Sequence, residues 1–401
     1  MRIDFLFTKE LLLLDSIFNR GEDNLRIVGG AVRNYLLGKE INDYDLSCKF
    51  TPDETLKILE KNHIKHIELG IKFGTVIAII NDKQFEITAT REDVKTDGRH
   101  AIVKYTSDFE VDSGRRDFTF NALYLDFKGN IYDYHNGILD LKKGIVRFIG
   151  DPETRIKEDY LRILRFFRFY CQYGAFLDNE GLKYAILLKD NLLSLSSERI
   201  RAEMMKILNA DYSVKTLKIM ERYNILQLIT NIHNFNYKNL EIFYSLKKFL
   251  NIAVEPSLAL ALFIQTKSDL DVLREKWKLS NKENKEVLKL LEYGNRTLNL
   301  KEILFYENNK TFAINLLIYN SILNCDKISG NLLNYINEKI AFIRETKIPV
   351  FPITGIDLDK MGIFSKKEYG KILTSGKELF IKSNFTLQKD DLLEILRDNY
   401  S

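Results

Sequence analysis

Short apolar runs rich in β-branched and aromatic residues, each bounded by Gly, Asn or Asp, alternate with turns and short helices between residues 25 and 134. Such runs are typical of β-strands in a mixed α/β module. They predict five strands of one sheet, at residues 25–28, 43–47, 74–80, 84–90 and 122–127.

The pattern changes after the Gly-Asp-Pro sequence at residues 150–152, where apolar residues recur at helical spacing and glycines become rare. Helices are predicted at 158–169, 181–188 and 197–208, and the same spacing continues toward the C-terminus. Pro349, Pro352 and Gly355 interrupt it and predict a boundary before a small terminal module. We therefore expect an α+β chain with a mixed sheet first and an all-helical second half.

Composition changes this picture little. The chain has 401 residues, of which 45% are hydrophobic and 29% charged, so we expect two or more packed modules.

The longest apolar runs, at 11–14 and 258–264, are shorter than the roughly 20 residues that a membrane helix needs, and no membrane span is expected. The first residues lack the features of a secretory signal, which predicts a cytoplasmic protein. The net charge of +4 is compatible with nucleic acid but does not require it.

The first candidate for chemistry is Gly-Gly-Ala-Val-Arg at residues 29–33, where a strand ends in two glycines and a helix begins. Glycines let backbone amides approach an anion, the helix N-terminus adds partial positive charge, and Arg33 can contact phosphate oxygens with two donors. Two glycines before a helix can equally be a plain turn, so this pattern alone does not decide.

Asp43 and Asp45 follow about ten residues later, and residues i and i+2 of a strand face the same side. Phosphoryl transfer uses Mg²⁺ held by such hard oxygen ligands. An isolated Asp-x-Asp is commonly a solvated turn, but its position after a glycine phosphate loop favours a metal site. Glu86, on a neighbouring predicted strand, is a candidate third catalytic carboxylate; the alternative is a surface ion pair with Arg91 or a lysine.

Two arginine-rich motifs follow: Arg-Arg-Asp-Phe-Thr-Phe-Asn-Ala at residues 115–122, and a stretch at 158–168 that begins Glu-Asp and contains three arginines. On one continuous helix, Glu158, Arg162 and Arg165 would share a narrow face, flanked by Asp159 and Arg168. The same spacing also suits a salt-bridged surface, and the residues alone leave both interpretations open.

These four motifs, in this order and spacing, resemble those of class II transfer RNA nucleotidyltransferases and their bacterial poly(A) polymerase relatives. The resemblance covers roughly residues 25 to 210, with weaker similarity at 197–200 and 353–358. It implies a polymerase-β-like head at 1–135, a base-recognising neck at 136–210, a helical body at 211–345 and a helical tail at 346–401. Body and tail would bind the acceptor arm of transfer RNA.

The resemblance also implies roles for individual residues. Asp43 and Asp45 would bind Mg²⁺, Gly30 and Arg33 would contact the triphosphate, and Glu158, Asp159 and Arg162 would recognise the base. The complete implied nucleotide-binding set is Gly29, Gly30, Arg33, Arg116, Asp117, Asn121, Glu158, Asp159, Arg162, Arg165 and Arg168.

An aspartate and an arginine can imitate the edge of a complementary base. The aspartate accepts from the exocyclic amine that CTP and ATP share, and the arginine donates to ring nitrogen or carbonyl acceptors. GTP and UTP present a carbonyl instead, and a buried group left unpaired costs about 1–3 kcal/mol. The expected activity is therefore template-independent addition of CCA to the 3′ end of transfer RNA from CTP and ATP, with no membrane and no obligate protein partner.

Several alternatives stay open at this point. The segment at 69–76 resembles the CCA-adding branch, and the stretch at 91–101 resembles the flexible loop of complete CCA enzymes. A poly(A) polymerase or a partial enzyme that adds only CC or only A remains possible. The family usually has aspartate where this chain has Asn34, which is the one sequence hint of a noncatalytic RNA-binding relative. A small-molecule adenylyltransferase is disfavoured by the arginine-rich helix.

Overall fold

The computed structural model describes residues 7–68, 71, 74–96, 101–250, 256–264, 266–294, 299–362 and 365–400. The chain divides into two compact units. The first comprises Met1–His233 with Val272–Leu279, and the second comprises Asn234–Asp271 with Ser280–Ser401. The division into head, neck, body and tail stays a prediction.

The first part of unit 1 is a mixed sheet with helices around it. Its strands are β1 (Leu25–Val28), β2 (Tyr44–Cys48), β3 (Lys65–Ile67), β4 (Thr75–Ile80), β5 (Lys83–Ala89), β6 (Arg91–Thr96), β7 (Ala101–Tyr105), β8 (Leu123–Leu125) and β9 (Ile131–Asp133). Its helices are α1 (Lys9–Phe18), α2 (Gly30–Leu36), α3 (Pro52–Lys61), α4 (Phe109–Gly114) and α5 (Gly137–Lys143).

Seven of these strands form one sheet in the order β3-β4-β5-β2-β1-β8-β9. Strands β2 and β5 are parallel, and the other neighbouring pairs are antiparallel. The five predicted strands are all present, each within two residues of its predicted ends. The two extra strands, β3 and β9, are three residues long, which is too short for an alternating pattern to stand out.

The sheet packs against α1, α2 and α3 through a core that includes Leu14, Ile27, Val32 and Leu46, each inaccessible to solvent. Helix α3 begins with a capping box in which Thr51 and Glu54 exchange hydrogen bonds. Because Val32 is buried in this core, the start of α2 is held at the end of β1.

The segment at 91–101, expected to be a flexible polar loop, is extended in its described residues. Strands β6 and β7 pair antiparallel, with Arg91 opposite Tyr105, and form a separate two-stranded sheet. Val94, Ile102 and Val103 are β-branched, and such residues favour extended backbone. The prediction of a loop gave more weight to the polar composition of the segment. Residues 97–100 lie outside the described residues, as do four residues of the segment at 69–76.

The second part of unit 1 is helical with one exception. Its helices are α6 (Pro152–Glu158), α7 (Leu161–Tyr173), α8 (Asn179–Leu187), α9 (Ser197–Leu208), α10 (Ser213–Arg222) and α11 (Ile225–Thr230). Two short parallel strands, β10 (Ile145–Val146) and β11 (Phe176–Leu177), lie within the predicted neck, so the expectation of an all-helical neck was wrong. Gly144 ends α5 with a positive φ of 64° and its carbonyl accepts from Ala175 and Phe176, which starts this pairing.

The single helix predicted from Glu158 to Arg168 was also wrong. Helix α6 ends at Glu158, Asp159 is extended with φ −155° and ψ 107°, and α7 begins at Leu161. The Asp159 side chain accepts a hydrogen bond from the Leu161 N–H at 3.1 Å. A short acidic side chain competes in this way with the helical backbone and favours a new helix start.

An aromatic cluster fixes α7 against the residues that follow α4. The ring of Phe118 lies 4.8 Å from that of Phe148 and 5.3 Å from that of Phe169, and Phe120 lies 5.5 Å from Phe169. All four rings are almost completely buried. Asp117 and Asn121, which flank Phe118 and Phe120 in the chain, line the cleft described below.

Unit 2 is helical in its described residues. With α14, which continues into unit 1, its helices are α12 (Tyr237–Leu250), α13 (Pro256–Phe263), α14 (Lys267–Trp277), α15 (Asn281–Tyr293), α16 (Leu300–Glu307), α17 (Lys310–Leu323), α18 (Gly330–Glu345), α19 (Gly355–Met361), α20 (Tyr369–Lys382) and α21 (Lys389–Tyr400). The C-terminal helices have a core of their own around Leu358, Ile372, Phe380 and Leu392. Among the helices the structure describes, none combines the length and the apolar character that crossing a membrane requires.

Candidate active site

The turn between β1 and α2 forms the floor of a cleft. Gly29 has φ 72° and ψ −120°, and its N–H donates to the Leu123 carbonyl at 3.1 Å. A Cβ at this position would lie 3.6 Å from Arg116 Nη1 and 3.9 Å from Asp45 Oδ2. The residue is therefore held in a backbone conformation that suits glycine, directly beside two predicted site residues.

We expect Gly29→Ala to lower the free energy of unfolding by about 1–3 kcal/mol, because an L-residue is strained at this φ and ψ. The midpoint of chemical unfolding measures the change. Gly114→Ala is the matched control, since Gly114 lacks a positive φ and a Cβ there meets no atom within 4 Å. Equal stability of the two variants would contradict the strain assigned to Gly29.

The acidic residues meet at the start of β2. Asp43 immediately precedes the strand, Asp45 lies within it, and the parallel register places Asp45 opposite Glu86 of β5. Partial desolvation and the nearby Asp43 raise the pKa of Asp45, opposed by Arg116 and Arg33. Desolvation and the two aspartates also raise the pKa of Glu86. The three carboxylates therefore share one electrostatic environment.

The donor set of Asp43 and Asp45 suits a divalent cation. Both supply hard carboxylate oxygens, and Mg²⁺ is commonly bound by one or two carboxylates together with substrate phosphates. Within the described ranges, no three acidic, histidine or cysteine side chains form a cluster that could hold a metal. Glu86 therefore does not complete a three-ligand group there, and its predicted catalytic role stays a prediction.

A chain of hydrogen bonds joins α2 to α7 across the cleft. Arg33 donates through Nη1 to Asn121 Oδ1, and Asn121 Nδ2 donates to Asp117 Oδ1 at 2.9 Å. Arg165 Nε donates to Asp117 Oδ2 at 2.7 Å. Burial alone would raise the pKa of Asp117, but Arg165 and Asn121 hold it at about 2. Asp117 is therefore a carboxylate that orients two cleft side chains.

Arg33 is 8% exposed, and no acceptor among the described residues reaches its Nε. Its Nη2 donates to the Tyr173 hydroxyl at 3.1 Å, and that hydroxyl donates to Asn34 Oδ1 at 3.3 Å. Asn34, where the family usually has aspartate, is thus used as an amide acceptor for Tyr173. A buried guanidinium with a remaining donor at the cleft is suited to an anionic ligand.

The predicted base-recognition residues lie at the break between α6 and α7. Arg162 Nη1 donates to Glu158 Oε2 at 2.5 Å and to the Arg155 carbonyl at 3.0 Å. Asp159 Oδ2 accepts from Arg199 Nη2 at 2.7 Å. Asp159 and Arg162 are therefore each oriented by a separate partner before any ligand binds.

The remaining arginine of the motif is held differently. Arg168 Nε lies 2.6 Å from Glu203 Oε2, a residue of α9 that is 4% exposed. The guanidinium carbons of Arg168, Arg33 and Arg165 lie 4.0, 5.3 and 5.4 Å from the centre of the Phe169 ring. One aromatic ring thus packs against three arginines of the cleft.

These side chains line one cleft of about 450 Å³. Its lining residues are Gly29, Gly30, Arg33, Asp45, Arg116, Asp117, Asn121, Asp159, Leu161, Arg162, Arg165, Arg168, Phe169 and Arg199. Six arginines face three aspartates there, so the cleft carries an excess of positive charge. Asp43, Glu86 and Glu158 were predicted for the site but are not part of this lining.

Sequence reasoning missed Leu161, Phe169 and Arg199. Phe169 falls on the arginine face of the predicted helix and interrupts the division between its charged and apolar sides, a signal that could have found it, whereas Leu161 carried no separate signal. Arg199 lies in the segment at 197–200 for which weak family similarity was noted, but nothing in the spacing indicates its pairing with Asp159 forty residues earlier.

Comparison with known proteins identifies the family. Residues 25–147 match the family described as "Poly A polymerase head domain", and residues 182–233 match "Probable RNA and SrmB- binding site of polymerase A". The mitochondrial CCA tRNA nucleotidyltransferase 1 of Mus musculus is 34% identical over 408 residues, covering 98% of this chain and 91% of that protein. The CCA-adding enzyme of Streptococcus gordonii is 32% identical over 297 residues, which is 73% of each chain.

The fold agrees with these matches. The crystal structure of the Bacillus stearothermophilus CCA-adding enzyme in complex with CTP aligns with a TM-score of 0.78 at 22% identity, covering 100% of this chain and 98% of that one. The Thermotoga maritima CCA-adding enzyme complexed with tRNA aligns with a TM-score of 0.61 at 19% identity, covering 100% and 98%. With its glycine turn, paired aspartates and arginine-lined cleft inside the matched region, the chain belongs to the class II tRNA nucleotidyltransferase (CCA-adding enzyme) family, within the larger tRNA nucleotidyltransferase and poly(A) polymerase group.

Proposed function

We propose that this protein adds CCA to the 3′ end of transfer RNA from CTP and ATP without a nucleic-acid template. The observation that carries the proposal is the cleft in which six arginines and the β1–α2 glycine turn surround Asp45. A triphosphate needs that positive charge, and the terminal hydroxyl of an RNA needs a site for attack on the α-phosphorus with pyrophosphate leaving. The related enzymes solved with CTP and with tRNA support this assignment.

In this proposal Asp43 and Asp45 would hold Mg²⁺, which supplies charge stabilisation and activation of the attacking hydroxyl when bound. Gly29, Gly30, Arg33 and Arg116 bind the triphosphate. The remaining residues that line the cleft bind and orient the nucleotide. The assignment of these roles follows from the lining of the cleft and from the family motifs.

The base is selected by Asp159 and Arg162. Asp159, oriented by Arg199, accepts from the exocyclic amine of cytosine or adenine, and Arg162, oriented by Glu158, donates to the ring. Asp117, Asn121 and the arginines of α7 hold this recognition pair in register with the triphosphate site. Selection then requires neither a template strand nor a separate pocket for each nucleotide.

The test is to incubate the purified protein with Mg²⁺ and transfer RNA that lacks its CCA end, giving CTP and ATP singly and together. We expect growth by three nucleotides only when both are present, two with CTP alone, and none after the metal is chelated. Long A tails would instead identify a poly(A) polymerase. Growth limited to CC, or to A on RNA already ending in CC, would identify a partial enzyme.

Absence of growth on any of these RNAs would indicate a noncatalytic RNA-binding protein. A transfer RNA that already ends in CCA is the control, and it should not grow.

The predicted location is the cytoplasm, and fractionation of the source cells followed by immunoblotting tests it.

A further inference from the structure

Asp112 is a buried carboxylate that the sequence patterns did not mark. It lies in α4 and is 0% exposed. Its Oδ1 accepts from Arg115 Nε at 2.8 Å and from the Arg91 backbone N–H at 3.2 Å. Its Oδ2 accepts from the Tyr124 hydroxyl at 2.6 Å, from Ser47 Oγ at 3.2 Å and from Arg116 Nη2 at 3.3 Å. Five donors from four parts of the head therefore converge on one side chain.

These donors keep Asp112 ionised. Burial alone would raise the pKa of Asp112, but Arg116 and Arg115 hold it at about 2. A buried charge of this kind is stable only while its partners stay in place, and removing it leaves those partners unpaired. The position of Asp112 therefore depends on its donors, and the positions of the donors depend on Asp112.

Arg116 is the donor that reaches the cleft. Its Nε donates to the Tyr124 hydroxyl at 3.1 Å, so Asp112 and Tyr124 together hold one side of the guanidinium. On the other side, Nη1 lies beside Gly29, and Arg116 acts on the pKa of Asp45. The orientation of this cleft guanidinium is therefore set from behind by Asp112.

The hydrogen bond from the Arg91 N–H adds a second connection. Arg91 is the first residue of β6 and pairs with Tyr105, the last residue of β7. The same carboxylate thus holds the base of the β6–β7 hairpin and the guanidinium of Arg116. The two connections use different oxygens of this carboxylate, so a change at one end acts on the other through the position of the Asp112 side chain.

We propose that Asp112 is a positioning residue for nucleotide binding: its buried carboxylate fixes Arg116 toward the triphosphate and ties the base of the β6–β7 hairpin to that orientation. This inference rests on the proposed function, since it assigns the triphosphate to the cleft. Asp112 itself is not one of the residues that line the cleft, and it acts there through Arg116.

The experiment measures the dissociation constant of CTP by equilibrium titration of the full-length protein, together with KM and kcat for extension. Asp112→Asn removes the charge while keeping the shape. We expect the dissociation constant and KM for both CTP and ATP to rise about tenfold, with a smaller change in kcat and unchanged affinity for transfer RNA. Unchanged CTP binding in the folded variant would overturn the proposal.

Asp126→Asn is the matched control. Asp126 is 6% exposed and accepts from the N–H groups of Lys128 and Asn130 and from the Tyr132 hydroxyl, in the turn between β8 and β9. It is also a buried carboxylate with several hydrogen-bond donors, and it lies outside the cleft lining. We expect Asp126→Asn to lower stability without changing the CTP dissociation constant.

A double-mutant cycle separates positioning from general destabilisation. In an Arg116→Ala background, Asp112→Asn should add less than twofold to the CTP dissociation constant, because its effect passes through Arg116. Full additivity would overturn the proposal. If Asp112→Asn does not fold, Tyr124→Phe takes its place, since it removes only the hydroxyl shared by Asp112 and Arg116, and unchanged CTP binding in that variant would equally overturn it.

The wild-type protein separates this inference from the proposed function. Tight CTP binding without RNA extension would overturn the proposed function and leave the Asp112 test valid. A wild-type protein that does not bind CTP at all would overturn both.

Discussion

Asp45→Asn is expected to lower kcat for CTP incorporation by about 10³-fold, the rate equivalent of about 4 kcal/mol. The amide keeps the size of the carboxylate but loses the charge that a divalent cation requires. Asp43 and Glu86, the neighbours of Asp45, are not part of the cleft lining, so neither is placed to replace it. Single-turnover extension of a transfer RNA lacking its CCA end, across a range of Mg²⁺ concentrations, measures the loss.

Asp53→Asn is the matched control, since Asp53 is an exposed acid in the first turn of α3 and lies outside the cleft lining. It should retain wild-type kcat. Binding of transfer RNA by Asp45→Asn should also remain, and an unchanged midpoint of chemical unfolding shows that the head is folded. An Asp45→Asn enzyme within tenfold of wild type would remove the basis for a two-aspartate metal site.

The second large effect concerns nucleotide selection. Asp159→Ala should reduce the preference for CTP over UTP, measured as the ratio of kcat/KM values, by roughly tenfold to hundredfold. The variant loses the acceptor for the exocyclic amine, and it also leaves Arg199 without the carboxylate that pairs with it at 2.7 Å. The preference for ATP over GTP should fall in parallel, because both correct nucleotides carry that amine.

Asp151→Ala serves as the comparison in the same part of the chain. Asp151 caps α6 by accepting from the Thr154 N–H at 2.8 Å, so its removal should lower stability slightly. The nucleotide preference should not change. If Asp159→Ala kept its preference while Asp151→Ala lost it, base selection would have to be assigned elsewhere in the cleft.

Local sequence patterns predicted the elements that hold the site. The glycines at 29 and 30 indicated the strand-to-helix turn, and the five predicted strands lie in the observed sheet. This succeeded because glycine requirements and apolar alternation are local properties of a few neighbouring residues. The same reasoning placed Arg33, Asp117, Asn121 and Arg165 in one site, mainly through the family motifs that contain them.

Two kinds of feature could not be predicted from local sequence patterns. The break at Asp159 was missed because helical spacing of apolar residues continues through it, while the interruption comes from one side chain bonding to its own backbone. Asp112 and Arg199 were missed because their partners are distant in sequence, such as Tyr124 and Asp159. Periodicity carries no information on such pairings, since they are created only when the chain folds.

The interruption at Asp159 has a consequence for grafting between relatives. Arg162 is part of α7, whereas Asp159 precedes that helix and pairs with Arg199 of α9. Arg168 of α7 likewise pairs with Glu203 of α9. A chimera that exchanged α7 alone would import arginines whose counterions belong to another parent. A cassette for altering nucleotide choice would therefore have to include α6 through α9 together with Asp117, the counterion of Arg165.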